Sequence, residues 1–123
     1  MKKNKFNDIF SCFTDYLPKK WNKLIIFYWN YKESSSFNFF IDLGKGYQNF
    51  KEIGLQVSDY IDIFSKLKYI MKNDLEQLET NKKWTAFMMC VDSSGKFNVE
   101  YGFDVVDEKF ILYEKKWMSK FLP

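Results

Sequence analysis

Residues 92–104, with the sequence DSSGKFNVEYGFD, carry the pattern that decides the fold. An EF-type calcium loop has its glycine at the sixth position, whereas Gly95 is the fourth residue of this stretch. A phosphate-binding loop requires G-x-x-x-x-G-K-[ST], but Lys96 follows a single glycine and precedes Phe97. The head of the stretch, residues 92–95, therefore predicts a turn between two strands, in which Gly95 is free to take a positive φ.

The tail of the stretch alternates apolar and polar residues, which is typical of a β-strand over residues 96–105. One face of this strand carries Phe97, Val99, Tyr101, Phe103 and Val105, and the other carries Asn98, Glu100, Gly102 and Asp104. We expect the first face to be buried and the second to be exposed. The stretch and the strand before it thus form the second of two predicted hairpins.

The rest of the chain supplies further elements of the same fold. Apolar residues at helical spacing predict helices over residues 6–17, ended by Pro18, and over residues 58–79, with Ser58 as the N-cap. The buried stripe of the longer helix is predicted to contain Tyr60, Ile61, Phe64, Leu67, Met71, Leu75 and Leu78. Strands are predicted at 24–31, 37–43 and 84–91, with a plain loop at 44–49 and a last helix opened by Asp107.

This order predicts an α+β fold, because the strands come in adjacent pairs and do not alternate singly with helices. The expected architecture is an antiparallel sheet built from two hairpins with helices packed on it, in the order α-β-β-α-β-β-α. At 123 residues, 46% of them hydrophobic, the chain is expected to form a single domain over residues 1–123. No apolar run approaches the about 18 residues of a membrane span, and no signal peptide is evident, so a cytoplasmic location is expected.

The composition excludes many kinds of functional site. The chain has no histidine, and all of its 19 basic residues are lysines, so imidazole bases, histidine metal ligands and guanidinium forks are missing. Cys12 and Cys90 are expected to be isolated buried thiols. Gly44-Lys45-Gly46 lacks the third glycine and the following helix of a dinucleotide fingerprint. We therefore predict no catalytic residue, no metal ligand and no cofactor, and we do not expect an enzyme.

Glu100 and Asp104 lie on the same face of the last predicted strand, and further acidic residues follow them. Three interpretations stay open: a solvated polar face, an acidic patch that binds a partner, or a pair of catalytic carboxylates. Aromatic strand residues also raise the question of nucleic-acid binding. The alternation places most of them on the core face, however, and the RNP pattern is missing.

Both ends of the chain resemble the YezG-like immunity proteins. That family has a tryptophan-led strand, a G-K-F-x-[hydrophobic]-x-Y-x-Y-[DE] segment, a Y-E-R-x-x-W helix and a closing Y-L…P, with I-P-x-x-W near the start. The matching residues here are Leu17, Pro18, Trp21, Trp84, Gly95, Lys96, Phe97, Val99, Glu100, Tyr101, Asp104, Tyr113, Glu114, Trp117, Leu122 and Pro123. Phe103 stands where the family has tyrosine, and Lys115 where it has arginine.

The resemblance implies an antitoxin that binds a secreted or contact-delivered toxin domain, often a nuclease, and blocks its active site or its access to substrate. Such a protein needs a rigid scaffold, aromatic anchors and complementary charges, and it needs no cofactor. The candidate partner-binding residues are Glu100, Tyr101, Asp104, Asp107, Glu108, Glu114 and Trp117. The alternative is a regulatory module that associates with nucleic acid through its lysines.

Overall fold

The computed structural model describes residues 2–31, 34–79 and 82–103, together with residues 115, 116 and 119. It has an α+β fold with a five-stranded antiparallel sheet and two helices, which confirms the predicted class. In chain order the elements are α1 (Lys2–Thr14), β1 (Lys23–Tyr31), β2 (Ser34–Asp42), β3 (Tyr47–Gln48), α2 (Val57–Glu76), β4 (Ala86–Asp92) and β5 (Phe97–Gly102). The predicted last helix falls almost entirely outside the described residues.

The strands follow the order β3-β2-β1-β4-β5 across the sheet, so β1 is central. Ile26 of β1 lies opposite Phe39 of β2 and Met89 of β4. The two predicted hairpins, β1–β2 and β4–β5, are therefore confirmed. The plain loop predicted at 44–49 is wrong in one respect, because Tyr47–Gln48 forms a short strand paired with β2. Gly44 and Gly46, at φ of 104° and 99°, turn the chain back for this pairing.

The central strands are buried on both faces. Leu24, Ile26 and Tyr28 point to one side of β1, and Ile25, Phe27 and Trp29 to the other, yet all six are at most 5% exposed. β4 repeats this arrangement, because all residues from Ala86 to Val91 are buried. Uninterrupted apolar runs, as opposed to alternating ones, are typical of strands that are covered on both sides.

β5 departs further from the prediction. Phe97 and Phe103, assigned to a buried face, are 43% and 53% exposed, whereas Gly102 on the opposite face is buried. Among the described strands, β5 is the last of the sheet and pairs with β4 alone, so it has less cross-strand packing from these strands than the central ones have. Burial increases along β5 from the exposed Phe97 and Asn98 to the buried Gly102 and does not alternate, so the predicted division into a buried and an exposed face is wrong.

The helices also differ from the prediction at their ends. α1 stops at Thr14, before the predicted end at 17, and α2 begins at Val57 with Gln56, not Ser58, as its N-cap. The Asp59 Oδ2 atom accepts a hydrogen bond of 2.8 Å from the Gln56 backbone N–H, which satisfies one donor at the start of the helix. The Asp59 carboxylate therefore acts on a cap two residues before the predicted one.

The contacts divide the chain into two compact units. One contains Met1–Lys19 and Phe50–Lys83, with α1 packed against α2, and the other contains Lys20–Asn49 and Trp84–Pro123, with the whole sheet. In the helical unit, the buried side of α2 consists of Ile63, Leu67, Met71 and Leu75. Within the described residues, neither helix is both long and apolar enough to cross a bilayer.

Candidate functional site

The structure describes two of the seven predicted partner-binding residues, Glu100 and Tyr101, which are neighbours on β5. Asp104, Asp107, Glu108, Glu114 and Trp117 lie outside the described residues. The acidic surface that these residues were predicted to form therefore stays a prediction.

Tyr101 is half-buried among other rings of the sheet unit. Its ring centroid lies 5.8 Å from that of Trp84 and 5.5 Å from that of Phe87, and both neighbours are buried. Edge and tilted contacts at these separations are those of packed aromatic side chains. Glu100, opposite Met88 in the register, is also half-buried. Tyr101 thus holds β4 and β5 together, and its role as a partner anchor remains untested.

The polar groups of residues 92–96 form hydrogen bonds with one another within the turn. The Asp92 Oδ1 atom accepts hydrogen bonds from the Ser94 backbone N–H at 2.9 Å, the Ser94 hydroxyl at 2.6 Å and the Lys96 backbone N–H at 3.1 Å. The Ser94 hydroxyl and these backbone donors hold the pKa of Asp92 below its ordinary value. Gly95 has a φ of 94°, as the turn prediction requires. The predicted turn is confirmed, and its carboxylate already has its partners.

The two cysteines are free and buried, as predicted. Burial raises the pKa of the Cys12 thiol to about 11 and also raises the pKa of Cys90. Both thiols are therefore protonated near neutral pH, which makes them poor nucleophiles. Among the residues that the structure describes, no group of three or more His, Cys, Asp and Glu side chains could hold a metal ion.

Polar contacts tie the helical unit together at both ends. The Lys5 Nζ atom lies 3.1 Å from the Asp74 carboxylate, and the Tyr16 hydroxyl donates a hydrogen bond to Asp62. Since Lys5 is near the start of α1 and Asp74 is near the end of α2, the two helices run antiparallel. Asp62 also forms an ion pair with Lys66, whose Nζ atom lies 3.1 Å from the carboxylate. The Tyr16 and Lys66 contacts lower the pKa of Asp62, and the same hydrogen bond raises the pKa of Tyr16 to about 12.

The outer side of α2 exposes large apolar side chains. Val57 and Ile61 are each 58% exposed and Tyr69 is 70% exposed. Together with Ser65 they are spaced four residues apart, so Val57, Ile61, Ser65 and Tyr69 form one continuous row on the helix, called the α2 ridge below. An exposed tyrosine beside aliphatic residues is typical of protein-binding surfaces, where aromatic side chains supply much of the affinity.

A cleft of about 430 Å³ adjoins the α2 ridge between α1 and α2. This helix cleft is lined by Asp8, Ser11, Cys12, Ser65, Lys66, Tyr69 and Ile70. Ser65 and Tyr69 belong to both features, so the ridge and the cleft form one continuous surface of the helical unit. A protruding side chain of a partner could enter the cleft while the ridge packs against the surface around it.

Lysines surround the exposed tyrosine. Lys66, Lys68 and Lys72 lie within one turn of Tyr69 on α2, and all three are exposed. Three acidic residues of α2 already have partners within the helical unit: Asp59 at the N-cap, Asp62 with Tyr16 and Lys66, and Asp74 with Lys5. Within the described residues Lys68 and Lys72 form no ion pair; the Lys68 ammonium lies 5.9 Å from the centre of the Phe64 ring. No acidic residue of α2 lies within one turn of Tyr69, so this part of the helix carries a local excess of lysines.

Sequence reasoning missed this surface. Ile61 was assigned to the buried stripe, Ile63 was left out of it, and Val57 and Tyr69 received no role. Helical spacing identified an apolar side of α2, but apolar residues at 60, 61, 63 and 64 cover a wide arc of the helix. The four-residue spacing of Val57, Ile61 and Tyr69 was the available signal.

A second cavity of about 520 Å³ lies at the turn between β4 and β5, lined by Lys23, Cys90, Asp92, Gly95, Lys96, Phe97 and Asn98. It contains two lysines and a buried thiol. Its one carboxylate, Asp92, is engaged by the turn, and each lysine is close to an aspartate in the sheet register or in sequence. This balance of charge gives the second cavity no clear preference for a class of ligand.

Comparisons with known proteins leave the family open. No protein-family model matches the chain, and no curated protein shows significant similarity to it. The resemblance to the YezG-like immunity proteins therefore rests on the motifs quoted above.

Proposed function

We propose that this protein is an immunity protein that neutralises a cognate secreted or contact-delivered toxin, with a nuclease as the leading toxin class, by stoichiometric binding in the cytoplasm. The observation that carries the proposal is the β4–β5 hairpin. It brings together the two motif segments on which the resemblance depends, the tryptophan-led strand after Trp84 and the segment from Gly95 to Tyr101. Contact between the Trp84 and Tyr101 rings gives both motif aromatics a shared structural role.

The surface of the helical unit also supports a binding role. The α2 ridge and the helix cleft offer exposed aromatic and aliphatic side chains on a helix fixed by polar contacts at both ends. A rigid element that presents an aromatic anchor is what protein recognition requires, since little side-chain and backbone freedom is lost on binding.

The experiment is co-expression with a toxin domain. Suitable toxins are the C-terminal domains of exported proteins encoded beside the gene for this chain. We expect growth to be rescued by the wild-type protein and a one-to-one complex to be recovered by size-exclusion chromatography with light scattering. Phe87→Ala, which removes a buried ring, is a control for dependence on folding.

Failure to rescue growth from every adjacent toxin domain, with no complex formed, would contradict the proposal. Binding to single- or double-stranded nucleic acid that weakens steeply with salt would support the alternative regulatory module instead.

A further inference from the structure

The α2 ridge has the composition of a contact surface centred on Tyr69. Tyr69 and Ile61 are exposed on the same row of α2, and Ser65 between them is small enough to let a partner approach the helix closely. Aromatic residues at the centre of such surfaces dominate binding energies, whereas the charged rim mainly sets orientation and association rate.

The charges around the ridge identify the chemistry of the partner. Asp59, Asp62 and Asp74 are neutralised or capped inside the helical unit, but Lys68 and Lys72 have no ion pair among the described residues. Lys66 forms an exposed ion pair with Asp62, and this pair adds little net charge to the surface. Asp8 is the acidic residue in the cleft lining, which also contains Lys66.

We propose that the α2 ridge and the helix cleft form the toxin-contacting surface, and that they bind an acidic surface of the toxin that inserts an aliphatic or aromatic side chain into the cleft. This inference rests on the proposed function and adds the location of the interface and the charge of the partner. It assigns recognition to the helical unit, not to the acidic residues first predicted around Glu100.

Two double variants and one matched control test the interface. Ile61→Ala with Tyr69→Ala removes the apolar part, and we expect the dissociation constant for the toxin domain to rise by about 100-fold, as for a pair of central contact residues. Lys68→Glu with Lys72→Glu reverses the rim, and we expect the association rate constant to fall by about 10-fold, with a weaker dependence on salt. Lys19→Glu with Lys20→Glu is an equal charge change at exposed residues that do not belong to α2, and we expect toxin binding to be unchanged.

The substituted side chains are exposed, so the variants should keep the wild-type melting curve, which circular dichroism verifies. If wild-type protein rescues growth while both α2 variants bind the toxin as tightly as wild type, the inference is wrong and the proposed function stands. If wild-type protein neither binds nor rescues, both are wrong. A wild-type chain that dimerises without toxin, and that becomes monomeric with the Ile61 and Tyr69 changes, would assign the surface to a second copy and overturn the inference.

Discussion

The β4–β5 hairpin and helix α2 contain similar residues but use them in opposite ways. In the hairpin, Asp92 and Ser94 form hydrogen bonds with each other within the turn, and Tyr101 packs against Trp84 and Phe87. On α2, Tyr69 and Ile61 face solvent, and Lys68 and Lys72 have no carboxylate partner among the described residues. A binding surface is therefore better identified by side chains that lack partners within the fold than by a sequence motif, because the side chains of a motif can already be bonded or packed internally.

The largest expected effect is the difference in stability between removing the buried ring of Phe87 and removing the exposed ring of Tyr69. Phe87→Ala should lower the free energy of unfolding by about 3–5 kcal/mol, because it removes a fully buried ring and leaves a cavity. Tyr69→Ala should change it by no more than about 0.5 kcal/mol. Equilibrium unfolding in urea measures both. A loss of equal size in the two variants would show that Tyr69 belongs to the core, and the contrast would then fail.

The next prediction tests whether residues 92–95 form the turn between β4 and β5. Gly95→Ala places a β-carbon on a residue with φ of 94°, which should cost about 1–2 kcal/mol of stability. Ser93→Ala, an exposed neighbour in the same turn, is the control and should be close to neutral. Urea unfolding again gives the difference, and a neutral Gly95→Ala would mean that the turn relaxes to another conformation.

A third variant tests a buried hydroxyl of the sheet unit that, unlike the polar groups of the turn, has no hydrogen-bond partner among the described residues. The Tyr47 hydroxyl is buried and accepts or donates no hydrogen bond among the described residues, and burial raises the pKa of Tyr47 to about 12. Removing an unsatisfied hydroxyl without changing the ring should stabilise the fold, so Tyr47→Phe should raise the free energy of unfolding by about 1 kcal/mol. A lower melting temperature for this variant would reveal a hydrogen-bond partner of the hydroxyl.

The smallest expected effect concerns the acids of the helical unit. The pKa of Asp62 is lowered in the folded state, so its stabilising contribution is present above its ordinary value of 3.8 and is lost as the pH falls further. Asp62→Asn should therefore melt at a slightly lower temperature than wild type at pH 6, and the gap should close near pH 2.5. Asp8→Asn is the control. A gap that persists in acid would mean that the ionised carboxylate is not what stabilises the fold.

The sequence predicted the strands well because their signals are local. Leu24 to Trp29 and Ala86 to Val91 are apolar runs of strand length, and Gly95 marks the turn that follows the second run. The exposure of Phe97 and Ile61 was not predictable in this way. Their exposure depends on where neighbouring elements end, which is set by tertiary structure.

The candidate surface illustrates the same limit. That Asp62 and Asp74 are paired with Tyr16 and Lys5 follows from the antiparallel packing of α1 and α2, and no spacing rule connects residues so far apart in the chain. That Lys68 and Lys72 are left without a carboxylate partner among the described residues becomes evident only after these pairs are known. Composition gave a formal net charge of +3, but not its location.

The central position of β1 has a consequence for how the chain folds. β2 follows β1 immediately and can pair with it early, whereas β4 comes only after β3 and α2 have been synthesised. Pairing of distant segments slows folding, because a long loop must close before its contacts form. Until then one edge of β1 is unpaired and its apolar side chains are accessible. We therefore expect nascent or truncated chains that end before β4 to aggregate, and folding to be limited by the arrival of β4 beside β1.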